Sequence, residues 1–536
     1  MRRWNGWGDR AIDAPLHESA AAFLRARVGD ASAGADTSLD QALAQVLAQP
    51  SRLPPHPLVS VEPEARLRAS FGQSLGDWLR LRFGRIDAVV DGVAFPESRA
   101  DVRTLLDWAA ATGAVVIPCG GATSVVGHLE PPRGERPVLS IAMSRLRRML
   151  HLDTDAQLAT FEAGATGPDL EAQLQAHGWT LGHFPQSFEY STLGGWIATR
   201  SSGQQSAGYG RIEALFAGGL LETPTGALSI PAFPASAAGP DLREWVLGSE
   251  GRLGILVEAT MRVRRLPGRE CFVGVFLPDW AHGEAAVREL AQARLGLSMV
   301  RLANAPETST TLRLAGHERA IAWLERWLRW RGCGDGKVLL MLGLTGSSRQ
   351  VRAMSTQAAH LLRHHGGVAV GTPLGEKWRA NRYRGVYLRN TLWRAGYAVD
   401  TMETAVDWPR VQAMTTAIER AGSEALAQSG ERCHAYTHLS HVYPQGSSVY
   451  TTFVFRIGND FDAAWSRWRT LKQAVSEAIV RNGGTISHQH GVGKDHAPWL
   501  AVEKGERGMQ GLHALVGHFD PAGVMASGNL LPRERT

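Results

Sequence analysis

The sequence predicts an α+β architecture in two lobes, and three observations predict it. From Ile86 onward short β-rich runs alternate with helical ones, as in IDAVVDGVAFP, DVRTLLDWAAATG and AVVIPCGG. A second α/β region opens after about Pro267 with CFVGVFLP, and the chain closes on a long helical pattern, AAWSRWRTLKQAVSEAIVRNGG. Three glycine-rich loops stand between β-rich runs and helices in the first lobe, where a shared ligand would sit.

In order along the chain, residues 1–82 read as a helical and irregular extension. It carries an Ala/Leu-rich run, SLDQALAQVLAQ, and a proline-broken stretch, SRLPPHPLVS, with the look of a linker. Residues 83–267 form the first α+β domain, residues 268–460 a second domain that would cap it, and residues 461–536 a C-terminal segment. No internal repeat or low-complexity tract interrupts this order. With 536 residues and 44% hydrophobic against 20% charged, the chain has the balance of a soluble protein with a sizeable core.

No apolar run approaches a membrane span, and the opening MRRWNGWGDRAID has arginines without an apolar core behind them, so no secretory signal is expected. Cys119, Cys271, Cys333 and Cys433 lie far apart, which suits reduced thiols and a cytoplasmic location. The net charge of +6 is compatible with a phosphorylated ligand or peripheral contact with an anionic membrane, as well as with a plain arginine-rich surface. Its arginines are dispersed, which disfavours nucleic acid, and no single amphipathic helix stands out.

The first loop, Pro118-Cys119-Gly120-Gly121-Ala122-Thr123-Ser124, follows a predicted strand. Adjacent glycines let successive N–H groups converge on an anion, and the two hydroxyls add donors. The second contains Gln186, Ser187, Ser191, Thr192, Gly194 and Gly195 and runs on to Thr199, Arg200, Ser201 and Ser202. The third contains Glu250, Gly251, Gly254 and Ile255. Neither GxGxxG nor GxxxxGK occurs, so a Rossmann or P-loop site has no support.

In this order PCGGATS, QSFEYSTLGGW and GSEGRLGIL resemble the PCMH-type FAD-binding domain of the vanillyl-alcohol-oxidase/p-cresol-methylhydroxylase superfamily. The resemblance implies FAD between two subdomains, with these loops as its binding residues. Some members attach FAD through a histidine within the first loop; none stands there, so FAD is expected to be non-covalent. WNGWG at Trp4–Gly8, GHFPQSFEYSTLGGWIATRSSG, GSSVYTTFVF, NGGTISHQHGVGK and FDPAGVMASGNLL extend the resemblance to the alkyl-dihydroxyacetone-phosphate synthase family over nearly the whole chain.

That family exchanges the acyl group of acyl-dihydroxyacetone phosphate for a long-chain alcohol through a flavin adduct, in ether-lipid synthesis. The resemblance implies Tyr450 as acid/base and Arg389 and Arg301 as substrate arginines. His488 and His490, one residue apart, read as a proton relay able to supply Tyr450 with a cationic neighbour, and Lys494 as a further contact to phosphate or carboxylate. From the residues alone, Arg389 has the alternative of a surface arginine on a helix, and Arg301 that of half of an ion pair between lobes.

Related 2-hydroxy-acid dehydrogenases hold a divalent metal in a stretch like HxGDGNxH. Here the comparable segment keeps His441 but has Gln445 and Tyr450 in place of the carboxylate and second imidazole, so no metal is expected, although His434, His438 and His441 lie close in sequence. The pattern departs from the family at Gln489 within the histidine motif, at Gln186 and at Ala122. A flavin oxidoreductase acting on a 2-hydroxy acid or an alcohol is the alternative, and a flavin-binding protein without turnover is a third reading. A homodimer is compatible with the sequence.

Overall fold

The computed structural model describes residues 1–314 and 318–531. Its first lobe holds two sheets. The strands Val59–Ser60, Gly92–Ala94, Val138–Ala142 and Val115–Cys119 lie side by side in that order. The last three are parallel, so the glycine loop after Cys119 leaves at the carboxyl ends of the parallel strands. The helix Arg99–Ala111 covers this sheet. Ser98 and Asp101 close a capping box at its start, and Val102, Leu105, Leu106 and Ala109 turn one face inward at helical spacing.

The second sheet is antiparallel, in the order Met149–Asp153, Leu158–Glu162, Ile255–Arg262, Phe216–Thr223 and Gly226–Ile230. It packs on the short helix Leu193–Ala198 and on the end of the chain: Val516, Phe519, Leu530 and Leu531 lie in its core. Val116 also donates to the Val524 carbonyl at 2.7 Å. Residues 516–531 therefore seal this lobe.

The second lobe is one antiparallel seven-stranded sheet, ordered Val368–Gly371, Arg269–Leu277, Val338–Gly346, Met299–Ala303, His434–Leu439, Gly446–Arg456 and Tyr397–Asp407. The last two strands pair over their full length, with Glu403 opposite Tyr450, and the neighbouring strand sets His438 opposite Tyr450. Directly opposed residues share a face of a sheet. Register alone therefore lines up His438, Tyr450 and Glu403. The long helix Phe461–Arg481, capped by Asp460, buries Trp468, Leu471, Val475 and Ile479 against the core of this lobe.

The proline-broken stretch of the N-terminal segment departs from the expected linker. Within the proline-broken stretch Leu53 is buried, and Leu58 and Val59 pack on the first-lobe core, where Val59–Ser60 supplies an edge strand. The prolines keep that edge short because they withhold donors from further pairing. Among the described residues no helix is long and apolar enough to cross a membrane.

Candidate active site

A cavity of about 500 Å³ lies where the lobes meet. Its first wall is main chain. A Cβ on Gly121 would sit 1.7 Å from the Tyr190 carbonyl oxygen, and one on Gly120 would sit 2.2 Å from Thr192 Oγ1. The first and second loops thus touch backbone to backbone, an approach only glycine permits. Ala122, Arg200 and Glu250 adopt left-handed φ of 50°, 51° and 53°, one in each of the three loops. Such values strain a side-chain-bearing residue and mark turns fixed by their surroundings.

A buried chain of hydrogen bonds locks these loops together. Ser124 Oγ meets His128 Nδ1 at 2.6 Å, and His128 Nε2 meets Glu250 Oε2 at 2.9 Å. Glu250 also accepts from the Val492 amide, and from the Gly493 amide at 2.8 Å. The glycines of SHQHGVGK thus let that segment bring two amides onto one buried carboxylate. A Cβ on Gly493, at φ 55°, would lie 2.0 Å from the Val126 carbonyl oxygen.

The facing wall is built of side chains. Tyr450 is half-buried; its ring stacks on His438 at 4.8 Å and meets His490 edge-on at 6.1 Å. Burial, with Glu403 and Asp400 nearby, pushes its phenol well above the usual range, against the opposing pull of a Thr401 hydrogen bond and of Arg389. Arg389 lies over Trp78 at 4.3 Å and donates to the Gln73 carbonyl at 2.6 Å. Burial lowers its pKa to about 10, leaving it cationic at neutral pH, and among the described residues no carboxylate pairs with it. Arg301 is an ion-pair partner of Glu307, and both approach His438 Nδ1, at 3.1 and 3.0 Å. Burial raises the Glu307 carboxyl, but Arg301 and His438 outweigh it and hold the group at about 2.

Most residues expected at the site line this cavity: Pro118 through Ser124, Gln186, Ser187, Ser191, Thr192, Gly194, Gly195, Thr199, Ser201, Ser202, Glu250, Gly251, Gly254 and Ile255 on one side, and Arg301, Arg389, Tyr450 and His490 on the other. Three do not. Arg200 turns outward, where the Leu247 carbonyl and the Glu244 carboxylate hold its guanidinium. Lys494 donates to the Glu130 carbonyl and so ties down the chain beyond the first loop.

His488 lies behind the wall. Its Nε2 is 2.6 Å from Arg211 Nη1 and from the Tyr443 hydroxyl, and its Nδ1 is 3.0 Å from Glu403 Oε1. Burial, then Arg211, drives His488 far below the ordinary histidine value, and burial lowers His490. Neither is the cation expected beside Tyr450. That charge comes from Arg389.

Further residues complete the wall. Trp7 and Gln73 from the N-terminal segment line the cavity, with His128 and Asn529. The WNGWG segment straps the helix Leu388–Arg394 in place: Trp7 N donates to Asn390 Oδ1 and Asn390 Nδ2 to the Trp7 carbonyl, each at 3.0 Å, while Arg2 reaches the Ala122 carbonyl at 3.2 Å. His434, His438 and His441, close in sequence, do not converge in the fold, since His434 bonds Thr310 and His441 bonds Ser202 and Ser206. Glu403, His441 and His488 instead bring one ligand atom each within 4.8 Å of one another. Arg211 donates into that group from the side of His488.

The main-chain wall suits a ligand rich in phosphate and hydroxyl groups. Gln489 Oε1 and Asn529 Oδ1, on residues that line the cavity, are buried without a protein partner, as acceptors awaiting donors would be. The comparisons agree. Residues 90–229 match the family model of an FAD binding domain, and residues 266–530 that of the C-terminal domain of FAD linked oxidases. A solved p-cresol methylhydroxylase shares the fold, at TM-score 0.69 and 13% identity over 93% of this chain and 99% of that one. Fold and site together define an FAD-dependent enzyme with a PCMH-type binding domain.

An alkyldihydroxyacetonephosphate synthase of Dictyostelium discoideum is 31% identical over 475 residues, 87% of this chain and 77% of that one. A solved alkyldihydroxyacetonephosphate synthase superposes at TM-score 0.80, with 26% identity over 99% of this chain and 98% of that one. The chain belongs to the alkyldihydroxyacetonephosphate synthase family.

Proposed function

We propose that this enzyme exchanges the acyl group of acyl-dihydroxyacetone phosphate for a long-chain alcohol. The carbon–oxygen bond to the carboxylate breaks, a carbon–oxygen bond to the alcohol forms, the alcohol proton is released, and there is no net change of redox state. One observation carries this reading: Arg389, a half-buried guanidinium without a carboxylate partner, shares a cavity wall with a phenol held neutral. Its planar fork suits phosphate oxygens.

FAD, when bound, supplies the nucleophile that makes such an exchange possible without an external oxidant. The three glycine loops would hold it. Its attachment is read as non-covalent: His128 has both ring nitrogens occupied, and burial raises the Cys119 thiol to about 11, far from a reactive thiolate.

Arg389 anchors the phosphate and so fixes the distance from phosphate to reacting carbon. Tyr450, protonated at rest, gives a proton to the departing carboxylate and recovers one from the incoming alcohol. Its flanking imidazoles, His438 and His490, are also kept neutral by burial, which favours proton passage over a standing cation. Arg301, already paired with Glu307, orients His438 and with it the stacked phenol.

Tyr450→Phe tests this reading. It should purify with the same ratio of flavin to protein absorbance and lose about a hundredfold or more in exchange rate. Undiminished exchange would remove Tyr450 from the chemistry.

A further inference from the structure

The long helix Phe461–Arg481 turns a lysine inward. Ala464, Trp468, Leu471, Val475 and Ile479 make its inner face apolar, yet Lys472 stands buried among them. Desolvating an ammonium is costly, and an ion pair inside a protein returns little beyond that cost. A methionine would pack here beside Met402, whose Sδ lies 3.3 Å from Lys472 Nζ. The lysine calls for a reason other than stability.

Its one ion-pair partner among the described residues is Asp400, whose Oδ2 lies 3.6 Å from Nζ. Asp400 belongs to the strand Tyr397–Asp407 and lines the cavity with Arg389. Its carboxylate is already engaged. Trp468 Nε1 donates to Oδ2 at 2.9 Å, and the Thr401 amide donates to Oδ1 at 2.9 Å. Trp468 and Lys472 are four residues apart, so one turn of helix carries both groups that hold Oδ2.

Behind burial, which lowers its pKa, the charges acting most on Arg389 are those of Asp400 and Asp77. Neither carboxylate forms an ion pair with it. Asp77 is taken by the amide and hydroxyl of Ser74, at 3.1 and 2.8 Å, in the capping box of the helix Leu75–Phe83. The two acids best placed to neutralise Arg389 are thus both held by other donors.

We propose that Lys472 is a positioning residue: by holding Asp400, together with Trp468, it keeps the Arg389 guanidinium open to an anionic ligand. An arginine paired with a neighbouring carboxylate must break that pair before it can take a phosphate. With Lys472 in place Asp400 has a cation of its own. Arg389 then gives one N–H to the Gln73 carbonyl and keeps its other donors for the ligand. That this ligand is the substrate phosphate rests on the function proposed above. Lys472 also opposes a charge on His490, behind burial, so the test reads binding and not turnover.

The experiment titrates the flavin-loaded enzyme with dihydroxyacetone phosphate in a calorimeter. Lys472→Met should weaken binding about tenfold, because Asp400 turns to the one cation left. Lys472→Met/Asp400→Asn should bring affinity back to within about twofold of the wild type, a rescue that a merely structural lysine would not allow. Asp400→Asn alone should bind at least as tightly as the wild type, and it carries the test if Lys472→Met does not fold. Weaker binding by Asp400→Asn, or no rescue in the double variant, would overturn the proposal. Arg389→Ala separates this claim from the reading of the site. If Arg389→Ala binds as the wild type does, the phosphate reading fails and the proposal with it. If Arg389→Ala abolishes binding while Lys472→Met leaves it unchanged, the proposal fails alone.

Discussion

The two walls of the cavity are made differently. The wall from the first lobe works through backbone, with loops so close that a single added carbon at Gly121 would overlap a carbonyl. The wall from the second lobe works through side chains whose charges are set by burial and by cross-strand partners, with Tyr450 between His438 and Glu403. A site that must grip polyphosphate and hydroxyls profits from main-chain donors, which cost no side-chain entropy and cannot be lost by titration. A site that must move a proton needs groups whose protonation is tuned by surroundings. Damage to the first wall should therefore cost the cofactor, and damage to the second should cost the reaction while sparing the cofactor.

The sharpest separation is expected from Gly121→Ala. Parting the two loops should cost about 3 kcal/mol or more, so the protein should purify with little or no flavin, as read from its visible spectrum. A fully yellow variant would show that the loops yield easily. On the other wall, Arg389→Ala should retain flavin and raise the KM for the phosphorylated substrate about thirtyfold, with the KM for the alcohol within about twofold. Equal changes in both would mean that Arg389 holds the fold and not the phosphate.

A smaller effect follows from the buried histidines. Burial lowers His183 to about 3 and His434 to about 4, both from 6.5. Below pH 6.5 the unfolded chain takes up protons that the folded chain refuses, so stability is full above that pH and falls as the pH drops toward the folded values. The loss is about 1.4 kcal/mol per pH unit for each such group. Thermal midpoints should fall by several degrees between pH 7.5 and 5.5; a flat profile would mean that these imidazoles are charged or solvated.

The smallest expected effect is at Ala122→Gly. Relief of a φ of 50° is worth about 1 kcal/mol, and the added freedom of the unfolded chain offsets most of it. Flavin content should not change, in contrast to the residue one position earlier.

The same contrast governs what could be read in the sequence. Close backbone approach leaves a local trace, so the Gly120, Gly194 and Gly251 turns were legible one by one, as was the strand–loop–helix order around them. Tyr450 and Arg389 were legible through resemblance, since nothing within a few residues of either marks it as more than a strand tyrosine or a helix arginine. Glu403 left no trace, because its role comes from register with a strand more than forty residues away. His488 and His490 look equivalent in SHQHGVGK, yet the turn sends one behind the wall and one into it, and only Arg211 and Tyr443 explain which. Lys494 reads as an anion contact in the sequence, yet its ammonium donates to the Glu130 carbonyl.

The most direct measurement supplies the purified yellow enzyme with acyl-dihydroxyacetone phosphate and a labelled long-chain alcohol. The label should enter an ether-linked dihydroxyacetone phosphate with one fatty acid released per ether formed, with no oxygen consumed. Absence of label transfer, together with lasting anaerobic bleaching of the flavin by a 2-hydroxy acid, would contradict the account.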